Sequence, residues 1–257
     1  MLEWSGVSAD CPDAACAPGW RWAAIFVNVT LLAASALGES APPVSGPLLQ
    51  RIANAYQSII DYEVSVDVHV SDRLEENPPA KYTFLLRASK PHGWFSQEKI
   101  RSPIRYELTL VTDGSTVWAF LPAKNRYVAT DAAQQSAERE LLKEHHFRYV
   151  TRFEFLDRLN VKSHREGEKS LRDGGSIVKC VLLRIDPVAT EPWTELLWVD
   201  AERHIVLKSV HEERRGENRI KTRTSWKFTQ LNRPQPSQVF QFVAPEGAMR
   251  TNAVELR

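Results

Sequence analysis

Apolar residues from 48 to 60 recur at three- and four-residue spacing: Leu48, Leu49, Ile52, Ala55, Tyr56, Ile59 and Ile60. This spacing lines one face of a helix that ends at Asp61. The period then changes to two. Tyr62, Val64, Val66, Val68 and Val70 alternate with Glu63, Ser65, Asp67 and His69, the pattern of a half-buried strand. A second strand follows the Pro78-Pro79 turn, with Tyr82, Phe84, Leu86 and Ala88 on one side. A third runs over 104–110, where Ile104, Tyr106, Leu108 and Leu110 alternate with Arg105, Glu107 and Thr109. Asp113-Gly114 is a hairpin signal, and the return strand 116–120 carries Trp118 and Phe120 on one face. Alternation is lost between 131 and 160, where Leu141, Leu142, His145, Phe147, Tyr149, Phe153, Phe155, Leu156 and Leu159 predict one or two short helices against the sheet. Strands resume over 161–171, 177–185, 193–199, 204–212 and 219–228, with a short final strand over 239–243. Roughly ten strands and a few helices predict an α+β fold, a single curved antiparallel sheet covered by helices. No internal repeat and no linker divides it.

The first 38 residues differ in kind. The run from Ala23 to Gly38 carries no charge, follows Arg21, and ends in Ala36-Leu37-Gly38, the small-x-small exit of a secretory signal. It also contains Asn28 and Thr30 and falls short of the roughly 20 apolar residues of a stable span. An uncleaved N-terminal anchor is the other reading. No cysteine follows the run, so there is no lipobox. Residues 1–20 make a long, poorly basic leader, so either the start lies further downstream or the leader is extended. The expected organisation is a leader and signal over 1–38 and one domain over 39–257, exported to the periplasm. Cleavage would remove Arg21 against Glu3, Asp10 and Asp13, raising the net charge from +1 to +3. It would also remove Cys11 and Cys16, leaving Cys180 as the only thiol, expected to be a buried strand residue.

Candidate chemistry is sparse. There is no G-x-S-x-G, H-E-x-x-H, Walker A or G-x-G-x-x-G sequence, so neither enzyme activity nor a cofactor or metal is expected. His145 and His146 are adjacent and would point about 100° apart on a helix, which suits a structural or surface role better than a ligand pair. The basic run Arg214, Arg215, Arg219, Lys221 and Arg223 is interrupted by Glu217 and lacks interleaved aromatics, so nucleic acid is not an expected partner. What remains is a surplus of apolar surface. A wide curved sheet carrying Trp94, Trp118, Trp193, Trp198 and Trp226 could enclose a greasy cavity that short helices leave unfilled.

Two motifs sharpen this. Lys90-Pro91-His92-Gly93-Trp94 precedes a strand, and Asp113-Gly114-Ser115-Thr116-Val117-Trp118-Ala119-Phe120-Leu121-Pro122 spans the next hairpin. With the opening AYQSIIDYEVSVDVHV and the closing FQFVAPEGA, the chain resembles the outer-membrane lipoprotein carrier (LolA-like) superfamily over about 48–248. That resemblance implies an incomplete barrel closed by helices, holding lipoprotein acyl chains in a hydrophobic cavity. The family has Arg where this chain has Lys90, a departure at the gating position, since Arg can fork hydrogen bonds and Lys cannot.

The expectation is therefore a non-catalytic periplasmic carrier that passes acyl chains or lipids from an inner-membrane donor towards an outer-membrane acceptor, as a monomer. A chain of about sixteen carbons sheltered from water is favoured by roughly 13 kcal/mol gross. Release then needs open and closed states of similar energy. The expected lining is Ile59, Phe84, Leu86, Tyr106, Leu108, Trp118, Phe120 and Trp226, with Tyr56 and Ile60 on the covering helix and Lys90 as the gate. The alternative is an envelope-stress regulator of the same fold that senses lipid and binds a membrane-protein partner.

Overall fold

The structure is a computed structural model and describes residues 46–72, 79–91, 93–102, 105–134, 136–173, 175–188 and 192–251. The leader, the cleavage site at Gly38 and Ile104 lie outside these residues. The first helix, α1 (Pro47–Gln57), starts with Pro at its first position, where the missing N–H costs no hydrogen bond. It buries Leu49, Ile52, Ala53 and Tyr56 and stops at Ser58, whose hydroxyl donates back to the Ala55 carbonyl (2.7 Å). Ile60 lies beyond the helix, 57% exposed, its N–H donated to the Asn232 side chain (2.8 Å). The expected extension of the helix to residue 60 is thus corrected.

Six strands follow as a meander: β1 (Asp61–Asp72), β2 (Ala80–Ser89), β3 (Gly93–Ser102), β4 (Tyr106–Thr112), β5 (Thr116–Leu121) and β6 (Arg126–Asp131). The chain then crosses through α2 (Ala137–Tyr149) and a 3-10 helix, Thr151–Arg158. Ser136 caps α2 by accepting the Arg139 N–H (3.2 Å), and Glu138 and Glu140 complement its N-terminal dipole. A second meander contains β7 (Val161–Asp173), β8 (Ser176–Pro187), β9 (Trp193–Asp200), β10 (Val206–Arg215) and β11 (Asn218–Leu231). The two meanders join where β1 pairs with β11, making one open sheet with β7 at one edge. Its other edge is β12 (Met249–Arg250), which runs parallel to β6, so the sheet is mixed rather than wholly antiparallel.

Among the described residues twelve strands stand where about ten were expected. β3, β6 and β12 are additional, and the expected strand over 239–243 is instead a 3-10 turn, Ser237–Phe240, with an extended tail. That tail forms a strap across the sheet face opposite the helices. It is tied to β1 by Asn232 N–H to Asp61 O (2.7 Å) and by the Gln235 amide to Tyr62 O (2.9 Å). Phe240 then lies on Gly93, Phe242 packs against Trp118, Phe120 and Tyr127, and Met249 N–H reaches Asn125 O (3.0 Å). The closing sequence motif is therefore a structural clamp. Gly93 has a steric reason, because a methyl there would sit 2.7 Å from the Phe240 ring. Gly93→Ala should destabilise the protein by about 1–3 kcal/mol in urea unfolding, and adding Phe240→Leu should recover part of that loss.

Among the described residues no helix is long and apolar enough to cross a membrane. Cys180 is buried in β8 as expected.

Candidate functional site

Cross-strand register defines the helix-covered face. Val64, Leu86, Ser96, Leu110 and Ala119 stand opposite one another in successive strands, and Val66, Phe84, Glu98 and Leu108 form the next row. Directly opposed residues share a face, so the first row, wholly buried apart from traces, is a floor beneath α2. Trp226 continues the second row into β11 through Val66.

Helix side chains fill the space above this floor. Tyr56 packs on Phe153 (ring centroids 4.9 Å), Phe153 on Trp226 (5.7 Å), and Phe84 on Tyr149 (4.6 Å). The open cavity expected from sheet curvature is thus occupied by the covering helices themselves. The covering segments are short, and specific polar contacts fasten them. Tyr56 Oη accepts the Val206 N–H (3.1 Å), and burial pushes its phenol far above the ordinary value. Trp226 Nε1 donates to the Tyr149 carbonyl (2.7 Å). Arg152 on the 3-10 helix forks onto Glu195 of β9, Nη2 to Oε1 at 2.7 Å and Nη1 to Oε2 at 3.5 Å. Burial would raise the Glu195 carboxyl. The charges of Arg152 and His211, with hydrogen bonds from Arg152 and Ser209, outweigh it and hold the group below its ordinary value.

The histidine pair of α2 is structural. His146 Nε2 meets the Phe95 carbonyl (3.1 Å), which can only accept, so Nε2 carries the proton. Nδ1 is then the acceptor of the Tyr62 hydroxyl (2.5 Å). Burial, with the neighbouring His145, lowers the His146 pKa to about 3, consistent with this neutral tautomer. His145 Nδ1 shares a hydrogen bond with Ser96 Oγ (2.8 Å), and its Nε2 lies 3.8 Å from Glu98 Oε2. Burial, then Arg148, lowers His145 to about 4, so this last contact joins a neutral imidazole to the carboxyl and is no ion pair. Serine, histidine and glutamate meet here, with Ser96 wholly buried beneath α2. The cluster anchors α2 to β3.

Of the sequence-predicted lining residues, Tyr56, Ile59, Phe84, Leu86 and Trp226 are buried in one apolar cluster and Leu108 in a second beside Leu110, Ala119 and Leu142. Tyr106 is half-buried at its margin, and Ile60 is outside. Trp118 and Phe120 need correction. They oppose Val111 and Thr109 and so lie on the far face, under Phe242, while Val117, Ala119 and Leu121 face the interior. In this strand every position after Thr116 is apolar, so alternation cannot choose a face. The small Ala119 faces inward beneath α2, whose Leu142 packs against it.

Lys90 ends the β2 connection and donates to Glu154 Oε1 (2.5 Å), while Gln57 at the end of α1 holds the Glu154 carbonyl (2.7 Å). It therefore touches the covering 3-10 helix, as a point charge rather than a fork. Sequence reasoning missed Ser96, Glu98, Arg152 and Glu195. Their only signal was the polar residue each places on an interior strand position or facing helix. A separate cleft of about 370 Å³ lies at the β10–β11 hairpin, lined by Thr194, Glu212, Arg214, Arg219 and neighbours. Glu212 there already binds Arg219 and Lys221, and the charged lining is unsuited to an acyl chain.

No protein-family profile matches the chain. No curated protein matches it either. Among solved structures, MucA/MucB of Pseudomonas aeruginosa is 16% identical, with a TM-score of 0.38, over 77% of this chain and 60% of that one. The chain thus spans about 60% of the length of the MucB chains it matches. LprF of Mycobacterium bovis is 12% identical, with a TM-score of 0.41, over 74% of this chain and 93% of that one. The LolA superfamily protein NE2245 of Nitrosomonas europaea is 11% identical, with a TM-score of 0.30, over 79% and 99%. The single open sheet and its covering helices agree with the α+β architecture expected from the sequence.

Proposed function

We propose that the protein is a non-catalytic carrier that shelters acyl chains of lipids or lipoproteins between the sheet and its covering helices, in the periplasm. One observation carries this reading. An apolar floor shared by both meanders is covered by three helical segments of 11, 13 and 8 residues, fastened at discrete polar points. Lifting a segment breaks few polar bonds and uncovers a continuous apolar surface, which an acyl chain can cover in turn. The occupying side chains Tyr56, Tyr149 and Phe153 all belong to the covering segments and leave with them. The signal-like run before residue 39 supports export.

Lys90–Glu154 is the fastening best placed to set the rate of opening, because it ties the end of β2 to the 3-10 helix. Purified protein should carry lipid in native mass spectrometry and take up a fluorescent fatty acid after delipidation. Lys90→Ala should speed exchange of that probe about fivefold, as loss of a half-buried ion pair worth about 1 kcal/mol would do. Protein free of lipid that takes up no probe would end the carrier reading. Recovery of one membrane-protein partner in its place would favour a regulator.

A further inference from the structure

The covered face holds a carboxyl that the fastening contacts leave largely unused. Glu98 stands between Phe84 and Leu108 in its row and has only 15% of its side chain exposed. Among the described residues its carboxylate meets no hydrogen-bond donor, and the neutral His145 imidazole lies 3.8 Å from Oε2. One row further out, Tyr82 and Tyr106 flank Ile100 on the same face. Both phenols feel the Glu98 charge, and neither hydroxyl bonds to another described residue. Arg148, at the end of α2 and paired with Glu144 one turn back, lies close enough to oppose the effect of burial on Glu98. Its guanidinium has further N–H donors to offer.

A carboxyl on an apolar floor costs free energy unless something pairs with it. Ser96 and Glu195, the other polar floor residues described above, each have a partner within the protein. Glu98 has carboxylate oxygens to spare at the margin where Tyr82, Ile100 and Tyr106 are only half-buried. Resting on the carrier reading above, we infer that Glu98, Tyr82, Tyr106 and Arg148 form a head-group site for an amphiphile bearing both an ammonium and a phosphate. The ammonium donates to the Glu98 carboxylate, the phosphate accepts from Arg148, and the tyrosine hydroxyls hydrogen-bond the linking oxygens. The acyl chain leaves this site along Phe84 and Leu108 towards the covered floor. Burial raises the Glu98 pKa to about 7, with Glu144 adding to it and Arg148 opposing it, and an adjacent ammonium would favour the ionised form.

The test uses delipidated full-length protein at pH 8, loaded with a fluorescent fatty acid. Lysophosphatidylethanolamine and lysophosphatidylglycerol of equal chain length are titrated as competitors. The ethanolamine head should bind about tenfold more tightly, the worth of one charge-assisted hydrogen bond in a partly buried site. Glu98→Gln should abolish that difference, whereas Arg148→Gln should weaken both competitors alike. The wild-type ranking needs no variant, so misfolding of either one leaves the inference exposed to refutation. Equal displacement by both heads would overturn the head-group site while leaving the carrier reading intact. Failure of the protein to take up any probe would overturn both.

Discussion

Between pH 6.5 and 4.5 the protein should lose about 3 kcal/mol of stability, a net slope near one proton. Burial lowers His145 and His146 from 6.5 to about 4 and about 3, so in this window the unfolded chain binds a proton at each and the folded chain at neither. Their contribution is present above pH 6.5 and is lost as the pH falls. Glu98 acts in the opposite sense. Its folded pKa is raised from 4.5 to about 7, so over the same window the folded state holds a proton that the unfolded state lacks. Two protons against one leave a net of one, about 1.4 kcal/mol per pH unit. Below pH 4.5 the lowered carboxyls Glu195, Asp200 and Glu63 add their own losses, because the unfolded chain protonates there while the folded groups still stay ionised, until the pH has fallen through their folded pKa values.

His146→Gln provides the internal control. Its amide can still accept from Tyr62 and donate to the Phe95 carbonyl, but it does not titrate. Urea unfolding of this variant should be nearly independent of pH from 6.5 to 4.5. An unchanged slope would show that His146 is not held neutral in the folded protein. The consequence reaches function, because His145 and His146 anchor α2 to β3 and β1. Acid should weaken this fastening first, and opening should accelerate below pH 5.

Trp226→Ala should cost about 3–5 kcal/mol, the largest loss expected from a single substitution here. Trp226 is 3% exposed, meets Phe153 edge-on and binds the Tyr149 carbonyl where α2 gives way to the 3-10 helix. Removing the indole creates a cavity at the junction of both meanders and both covering segments, where no single element can move in to fill it. Trp226→Phe should cost about 1–2 kcal/mol, mostly through the unpaired buried carbonyl of Tyr149. Urea or thermal unfolding measures both, and a loss below about 1 kcal/mol for the alanine variant would mean that the covering helices collapse onto the floor. The phenylalanine variant also separates fastening from filling: it should take up an acyl probe faster while retaining most of the fold.

Legibility of the fold followed the polarity of interior positions. β1, with valines at every second position, could be read directly because its buried side is apolar and its other side polar. β3 could not, since two of its interior positions are Ser96 and Glu98, and a polar residue there is tolerable only because His145 arrives from a helix 49 residues later in sequence. The same holds for Glu195, whose partner Arg152 lies on a different element. The strap escaped for another reason: Phe240 and Phe242 alternate like a strand, but they cover the outer face of the sheet instead of joining it.

The sequence by itself determined the class of the molecule: one early helix, two runs of alternating strands and a helical crossing between them, because periods of two and 3.6 are local properties of the backbone. It also determined that Tyr56, Phe84, Leu86, Leu108 and Trp226 would be interior. Only the tertiary structure decided which side of β5 faces the helices, because an all-apolar strand is stable either way until a neighbour such as α2 demands the smaller side. It alone decided that the apolar face is filled by its own covering helices and that polar residues fasten them. Those choices depend on partners distant in sequence, whose meeting is a property of the packed molecule.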